Sequence, residues 1–171
     1  MLERQYNLVI AAAITLLFVL FAPNFFAPIG IHFFAPFLIM ALYFFRLSTI
    51  LWLAFAAGLF LDALFVSPRF GFFAATYMVS LLIIYPLRLY FFRDWLMTVP
   101  VLTLLFSLVA LLAEHIFAFL FDIPHMGGSF GAFVLSLLVV PLVDSIWALF
   151  FFALPLSMLY YYMRPKTHGK E

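Results

Sequence analysis

Long apolar runs, separated by short polar or proline-containing breaks, make up most of the chain. A helix needs about 20 predominantly apolar residues to cross a bilayer, and the breaks divide the chain into six runs of roughly that length. The pattern predicts an all-α integral membrane protein with a single transmembrane domain over residues 1–171. The predicted helices cover residues 6–22, 26–45, 48–66, 69–86, 95–121 and 141–162.

Prolines complicate two of these runs. In the second run, Pro36 predicts either a kink or a helix that begins near this residue after an irregular segment. The last apolar run, residues 132–163, is too long for one ordinary crossing, and Pro141 and Pro155 divide it. Residues 132–140 are therefore predicted to form a half-helix or an interfacial segment that precedes the sixth helix.

The basic residues indicate the orientation, because cytoplasmic loops of membrane proteins carry an excess of Lys and Arg. If the N-terminus is cytoplasmic, Arg69 alone lies outside. The other seven of the eight basic residues then lie inside: Arg4, Arg46, Arg88, Arg93, Arg164, Lys166 and Lys170. Six crossings place both termini in the cytoplasm.

Composition excludes several classes of protein. The chain is 69% hydrophobic and 9% charged, whereas a soluble domain has about 25% charged residues. Its net charge of +1 gives no sign of nucleic-acid binding. Because the sequence has no cysteine, it has no disulfide, thiolate chemistry or cysteine-based metal site.

The third predicted helix carries an acid on a stripe of small residues. Ala54, Gly58 and Asp62 are four residues apart and therefore share one face of a helix. Small residues let a neighbouring helix approach closely. We expect Asp62 to accept hydrogen bonds from the following turn or from the first N–H groups of the next helix, which favour a negative charge.

All three intramembrane acids, Asp62, Glu114 and Asp144, fall in the outer half of the bilayer under this topology. The last two also lie on stripes of small or polar residues: Ser107, Ala110 and Glu114, and Ser136, Val140, Asp144 and Ala148. We therefore expect the third, fifth and sixth helices to face one another, with Arg69 and His115 as the nearby basic residues. Two interpretations remain open. The acids line a polar pocket or docking surface that is open to the outside, or they hold the bundle together through hydrogen bonds to neighbouring helices.

The sequence contains no recognisable catalytic motif. An intramembrane protease that uses Asp62 and Asp144 as its paired acids is conceivable, but no neighbouring sequence feature supports it. Acids that stabilise helix packing are more common. His32, His115 and His125 could all face outward, but Glu114 and His115 are adjacent and point to different sides of a helix. We therefore predict no metal site, no cofactor and no enzymatic activity.

The segment GLFLDALFVSPRFG, which follows Ala57, resembles the MreD family of rod-shape-determining membrane proteins. Gly58, Asp62, Pro68 and Gly71 match the glycine, acid, proline and glycine of the family's typical segment in order. Size, helix number and topology match over essentially the whole chain. Asp144 departs from the family, whose members tend to carry Asn there, and this leaves the role of that position open.

The resemblance implies a non-enzymatic, multi-pass protein of the bacterial inner membrane. It implies an MreC-like single-span partner within the machinery that maintains rod shape and lateral peptidoglycan synthesis. RodA, a class B penicillin-binding protein and, indirectly, MreB filaments are the further implied members of that machinery. The partner or structural site is expected on the outer-half surface of Ala54, Gly58, Asp62, Ser67, Pro68 and Gly71, with Arg69, Glu114 and Asp144 as an outer polar cluster.

An alternative function comes from the same resemblance. The MreD fold is similar to that of the substrate-binding subunits of energy-coupling-factor vitamin transporters. The chain would then be the substrate-binding membrane subunit of a small-molecule transporter. Asp62, Glu114 and Asp144 would line its outward pocket.

Overall fold

Helices account for nearly all of the chain that the computed structural model describes, which is residues 2–21, 32–64, 70–91, 97–122, 130–155 and 157–158. This part contains six α-helices and no strand: α1 (Leu2–Phe21), α2 (Ala35–Leu42), α3 (Leu47–Leu64), α4 (Phe72–Ile84), α5 (Thr98–Leu120) and α6 (Phe130–Ala148). A 3-10 helix, Tyr85–Leu89, follows α4 directly. A π-helical segment, Leu149–Ala153, follows α6.

Four helical segments in the described part are long and apolar enough to cross a membrane: Leu47–Leu64, Phe72–Leu89, Thr98–Leu120 and Phe133–Ala153. Large apolar side chains such as Trp52, Phe119 and Leu135 are exposed on them. Contact with lipid tails explains such faces, since a water-soluble protein rarely exposes extended apolar patches. The all-helical membrane character is thus as expected, whereas six crossings and two cytoplasmic termini stay predictions.

The second apolar run forms a short buried helix. Seven of the eight residues of α2 are buried. The helix begins at Ala35 with Pro36 in its first turn, where the missing N–H of proline costs no intrahelical hydrogen bond. This start agrees with the second alternative for the run, a helix that begins near Pro36. Residues 22–31 lie outside the described residues.

The last apolar run differs from its prediction. α6 begins at Phe130 and continues through Pro141, so residues 132–140 are the first part of one long helix. The predicted start of a separate helix at residue 141 is wrong. In a membrane helix the carbonyl that proline leaves unpaired can be satisfied by neighbouring groups, and proline then need not end the helix.

Neighbouring helices along the chain make the main contacts. α3 packs mostly against α4, α4 also packs against α5, and α5 packs against α6. α2 lies against α5, with further contacts to α1, α3 and α6. The expectation that the third, fifth and sixth helices face one another therefore holds for α5 and α6, whereas the principal neighbour of α3 is α4.

Arg88, just after α4, caps the end of α2. Its guanidinium donates a hydrogen bond to the carbonyl of Leu42 at 3.0 Å and lies 3.9 Å from the centre of the Tyr85 ring. The last carbonyls of a helix are unpaired and carry partial negative charge, so a cation is favourable there. Arg88 thus joins the C-terminal end of α2 to the segment that follows α4.

Replacing Arg88 with leucine is expected to lower the free energy of unfolding by about 1–2 kcal/mol, because a charged hydrogen bond at a helix end is lost. Thermal unfolding of the purified protein in detergent would measure this loss. Arg46→Leu is the matched control, since Arg46 is exposed. Equal destabilisation by the two substitutions would contradict the capping role.

Candidate functional site

The carboxylate of Asp62 closes the N-terminal end of α4. Its Oδ2 accepts hydrogen bonds from the N–H groups of Gly71 (3.0 Å) and Ala74 (3.3 Å). Its Oδ1 accepts one from the N–H of Phe73 (3.1 Å). The first N–H groups of a helix have no intrahelical partner, and they carry partial positive charge. The hydrogen bonds that the sequence predicts for this carboxylate are therefore present.

Gly71 permits the tight turn into α4. Its φ of +94° lies in the left-handed region, which side chains other than glycine rarely adopt. It occupies the position immediately before α4, where its N–H reaches Asp62. Ser67, Pro68 and Arg69 lie outside the described residues, so their places in the predicted site and in the outer polar cluster stay predictions.

Gly58 lets the backbones of α3 and α4 touch. A Cβ atom at this position would lie 2.3 Å from the Cα of Ala74 and 2.5 Å from its nitrogen, far closer than real contacts allow. Ala54, one turn earlier, is fully buried. The helix that packs on the stripe of Ala54, Gly58 and Asp62 is thus α4, the next helix in the sequence. Asp62 and Gly58 therefore both act at the junction between α3 and α4.

Asp144 connects three elements elsewhere in the bundle. It is 1% exposed, and its Oδ1 accepts a hydrogen bond from the main-chain N–H of His32 at 3.2 Å. The hydroxyl of Ser107 donates a hydrogen bond to its Oδ2. Because His32 precedes α2 and Ser107 lies on α5, one carboxylate on α6 holds both neighbours in place.

Glu114 and Tyr77 complete this group, which we call the polar centre: His32, Tyr77, Ser107, Glu114 and Asp144. Glu114 Oε1 lies 4.0 Å from Nδ1 of His32. The rings of His32 and Tyr77 meet edge to face, with their centres 5.8 Å apart. All five side chains are buried.

Three atoms of the polar centre lack a hydrogen-bond partner among the described residues: Nε2 of His32, the hydroxyl of Tyr77 and Oε1 of Glu114. An unsatisfied buried polar group costs about 1–3 kcal/mol, and a buried charged group costs more. Within the described part, His32 is the only base within 4.0 Å of either acid. The group is therefore expensive to maintain, which is typical of polar residues with a function inside a membrane.

The described residues contain no group of three His, Asp or Glu side chains arranged to hold a metal ion. His115 does not pair with Glu114. Its Nδ1 lies 2.8 Å from the carbonyl of Leu111 on its own helix, and its ring packs against Phe133 at a centre-to-centre distance of 4.3 Å. This side chain contributes to the packing of α5 on α6.

The structure divides the predicted acids between two sites. Asp62 binds the start of α4, whereas Glu114 and Asp144 both meet His32. These hydrogen-bond partners are separate, and a pocket lined jointly by all three acids, as the sequence predicts for the transporter alternative, stays a prediction. Sequence reasoning considered His32 only as a metal ligand and missed Tyr77, although polar residues in the apolar run of α4 are a signal for a buried polar face.

Comparison of the chain with protein-family models, with curated proteins and with solved structures found no match in any of the three. The function is therefore inferred from the residues, their geometry and the resemblance of one segment.

Proposed function

We propose that the chain is a non-enzymatic component of the bacterial cell-elongation machinery in the inner membrane, where it binds an MreC-like single-span partner. The observation that carries the proposal is the Asp62 carboxylate on the N-terminal end of α4. The acid lies within the segment that resembles the MreD family. The structural roles of Asp62, Gly58 and Gly71 explain physically why an acid and two glycines occupy these positions of the segment.

These three residues act together on the junction between α3 and α4. Gly58 brings the helix backbones into contact, Asp62 binds the exposed N–H groups, and Gly71 makes the turn. A surface that is rigid before binding loses less conformational entropy when a partner docks. In the predicted orientation this junction lies toward the outside, which is where an extracytoplasmic part of the partner would meet it.

The hydrogen bonds of the acids support a structural role over a catalytic one. Asp62 accepts three backbone N–H groups, whereas Asp144 accepts from His32 and Ser107. A paired-acid protease needs two carboxylates that act on one water molecule, and these two have separate sets of partners. RodA, a class B penicillin-binding protein and MreB filaments would join the complex through the MreC-like partner.

Affinity purification of the tagged chain from its own membranes in mild detergent, followed by mass spectrometry, tests this function. Recovery of a single-span protein with an extracytoplasmic coiled coil would support it. Recovery of two ATPases together with a second polytopic subunit would overturn it in favour of transport.

Asp62→Asn is expected to leave the protein in the membrane but to weaken partner recovery and rod shape, because the neutral amide keeps one acceptor oxygen instead of two. A loss of about 1 kcal/mol at the interface lowers binding by roughly fivefold. The measurement is partner recovery and cell shape in a strain that carries only the variant. Asp122→Asn, at an exposed acid, is the control, and unchanged recovery and shape with Asp62→Asn would count against the proposal.

One observation favours a second candidate function, the substrate-binding membrane subunit of a small-molecule transporter. The unpartnered atoms around Glu114 are those that a bound ligand would satisfy. In such a site Asp62 would keep its hydrogen bonds to the start of α4. The co-purifying proteins decide between the two functions.

A further inference from the structure

Two arginines lie together at one end of the bundle. Arg46 immediately precedes α3, about 24 Å along that helix from Asp62. Arg88 donates a hydrogen bond to the carbonyl of Leu42 at 3.0 Å, and only three residues separate Leu42 from Arg46 along the chain. Both arginines are therefore at the end of the bundle that is opposite the junction of Asp62 with α4.

This end, which we call the basic end, carries positive charge without a matching acid. It consists of residues 43–48 and 85–90, which contain the two arginines and no Asp or Glu. In the described part of the chain neither arginine forms an ion pair. The next charged residues along the chain, Arg93 and Asp94, have opposite signs and leave the balance of charge unchanged. A surface with net positive charge favours an anionic partner.

Arg88 is held in a fixed orientation and has further donors to offer. Its guanidinium rests 3.9 Å from the centre of the Tyr85 ring, and one of its nitrogens binds the carbonyl of Leu42. A guanidinium has five N–H donors in a planar fork, and this shape matches the oxygens of a phosphate. Arg88 is half-buried and Arg46 is exposed, so both are accessible from the surface. A donor that is oriented before binding loses less conformational entropy on binding.

Exposed apolar side chains flank both arginines. The candidate membrane spans Leu47–Leu64 and Phe72–Leu89 both end here, which places the basic end at the boundary between the hydrocarbon and the lipid head groups. A molecule that matches this surface has an anionic head and an apolar tail. The flanking side chains are Phe45, Leu89 and Tyr90.

We infer that the basic end binds the phosphate head group of an anionic phospholipid. The arginines donate hydrogen bonds to the phosphate, and the flanking apolar side chains contact the acyl chains. A zwitterionic lipid has the same phosphate but also a positive group beside it, and therefore binds more weakly. In the predicted orientation the basic end faces the cytoplasm, and the cytoplasmic leaflet is the one that carries anionic lipids. The inference goes beyond the proposed role in cell elongation and does not depend on it.

The test is thermal unfolding of the purified full-length protein in an uncharged detergent, followed by tryptophan fluorescence, with dioleoyl phosphatidylglycerol as the probe. Dioleoyl phosphatidylcholine, which has the same acyl chains and no net charge, is the reference. Phosphatidylglycerol is expected to raise the unfolding midpoint by about 2–4 °C more than the reference lipid near saturation, since a ligand that binds only the folded state stabilises it. Glycerol phosphate at the same concentration should give no shift, because it has no acyl chains.

Substitutions of the arginines locate the effect, and each midpoint is compared with that of the same variant without lipid. Arg46→Gln removes one charge from an exposed position. The phosphatidylglycerol concentration for half of the shift should then rise about fivefold, which corresponds to about 1 kcal/mol for one basic residue at an anionic surface. The double variant Arg46→Gln, Arg88→Gln should lose the preference for phosphatidylglycerol. Arg69→Gln makes the same chemical change on the predicted opposite side of the membrane and should keep the full shift.

Three results would overturn the inference: an equal shift with phosphatidylcholine, an equal shift with glycerol phosphate, or an unchanged response to phosphatidylglycerol in Arg46→Gln. The last criterion applies even if the double variant does not fold. The recovery of an MreC-like partner is measured separately, so failure of the lipid site and failure of the proposed function are distinguishable.

Discussion

Gly58→Val is expected to lower the free energy of unfolding by about 3 kcal/mol or to prevent the folded protein from accumulating. Its Cβ would overlap the backbone of Ala74, and a backbone cannot move aside as a flexible side chain can. Relief requires α3 and α4 to separate. That movement would also draw the N–H groups of α4 away from Asp62, so the substitution removes both the helix contact and the hydrogen bonds that depend on it.

Unfolding in detergent and the amount of protein in the membrane measure the effect. Ala56→Val is the matched control, because Ala56 is an exposed residue of the same helix. Gly58→Ala should fall between the two, since it adds the overlapping Cβ without further bulk. If Gly58→Val unfolds at the same temperature as Ala56→Val, the close contact of α3 with α4 is not a determinant of stability.

Asp144→Leu is expected to cost about 3 kcal/mol, because it leaves the His32 N–H and the Ser107 hydroxyl buried without an acceptor. Asp144→Asn should cost about 1 kcal/mol, since the amide oxygen still accepts one hydrogen bond.

Thermal unfolding of these variants is compared with that of Ser136→Ala. Ser136 lies on the same helix, and its hydroxyl donates only to the carbonyl of Phe133 within α6. Ser136→Ala should therefore lower the free energy of unfolding only slightly. Comparable midpoints for Asp144→Leu and Ser136→Ala would show that Asp144 does not hold the three elements together.

The stripe of Ala54, Gly58 and Asp62 shows which features of the site could be predicted from the sequence. The spacing of four and the small side chains predict a buried face and a close helix contact, and both are found. The acid near a helix end predicts hydrogen bonds to N–H groups, which are also found. The identity of the neighbour could not be predicted, because any apolar helix can pack on small residues.

The polar centre was predicted only in part. Glu114 and Asp144 lie on stripes whose burial is as expected, but the atom that Asp144 binds is a main-chain N–H. Every residue except proline has such a group, so the sequence does not mark which one meets the acid. The continuity of α6 through Pro141 could not be predicted for a similar reason. Whether a helix continues through a proline depends on neighbouring groups that the local sequence does not contain.

The hydrogen bond between His32 and Asp144 joins residues 112 positions apart, and this separation bears on how the protein is made. When α5 has been synthesised, the chain already contains His32 and Ser107 but not yet the carboxylate that binds both. In hydrocarbon such unpaired groups cost several kcal/mol each, so they cannot settle into the interior at that stage. The segment that precedes α2 therefore acquires this hydrogen bond only after α6 has been inserted.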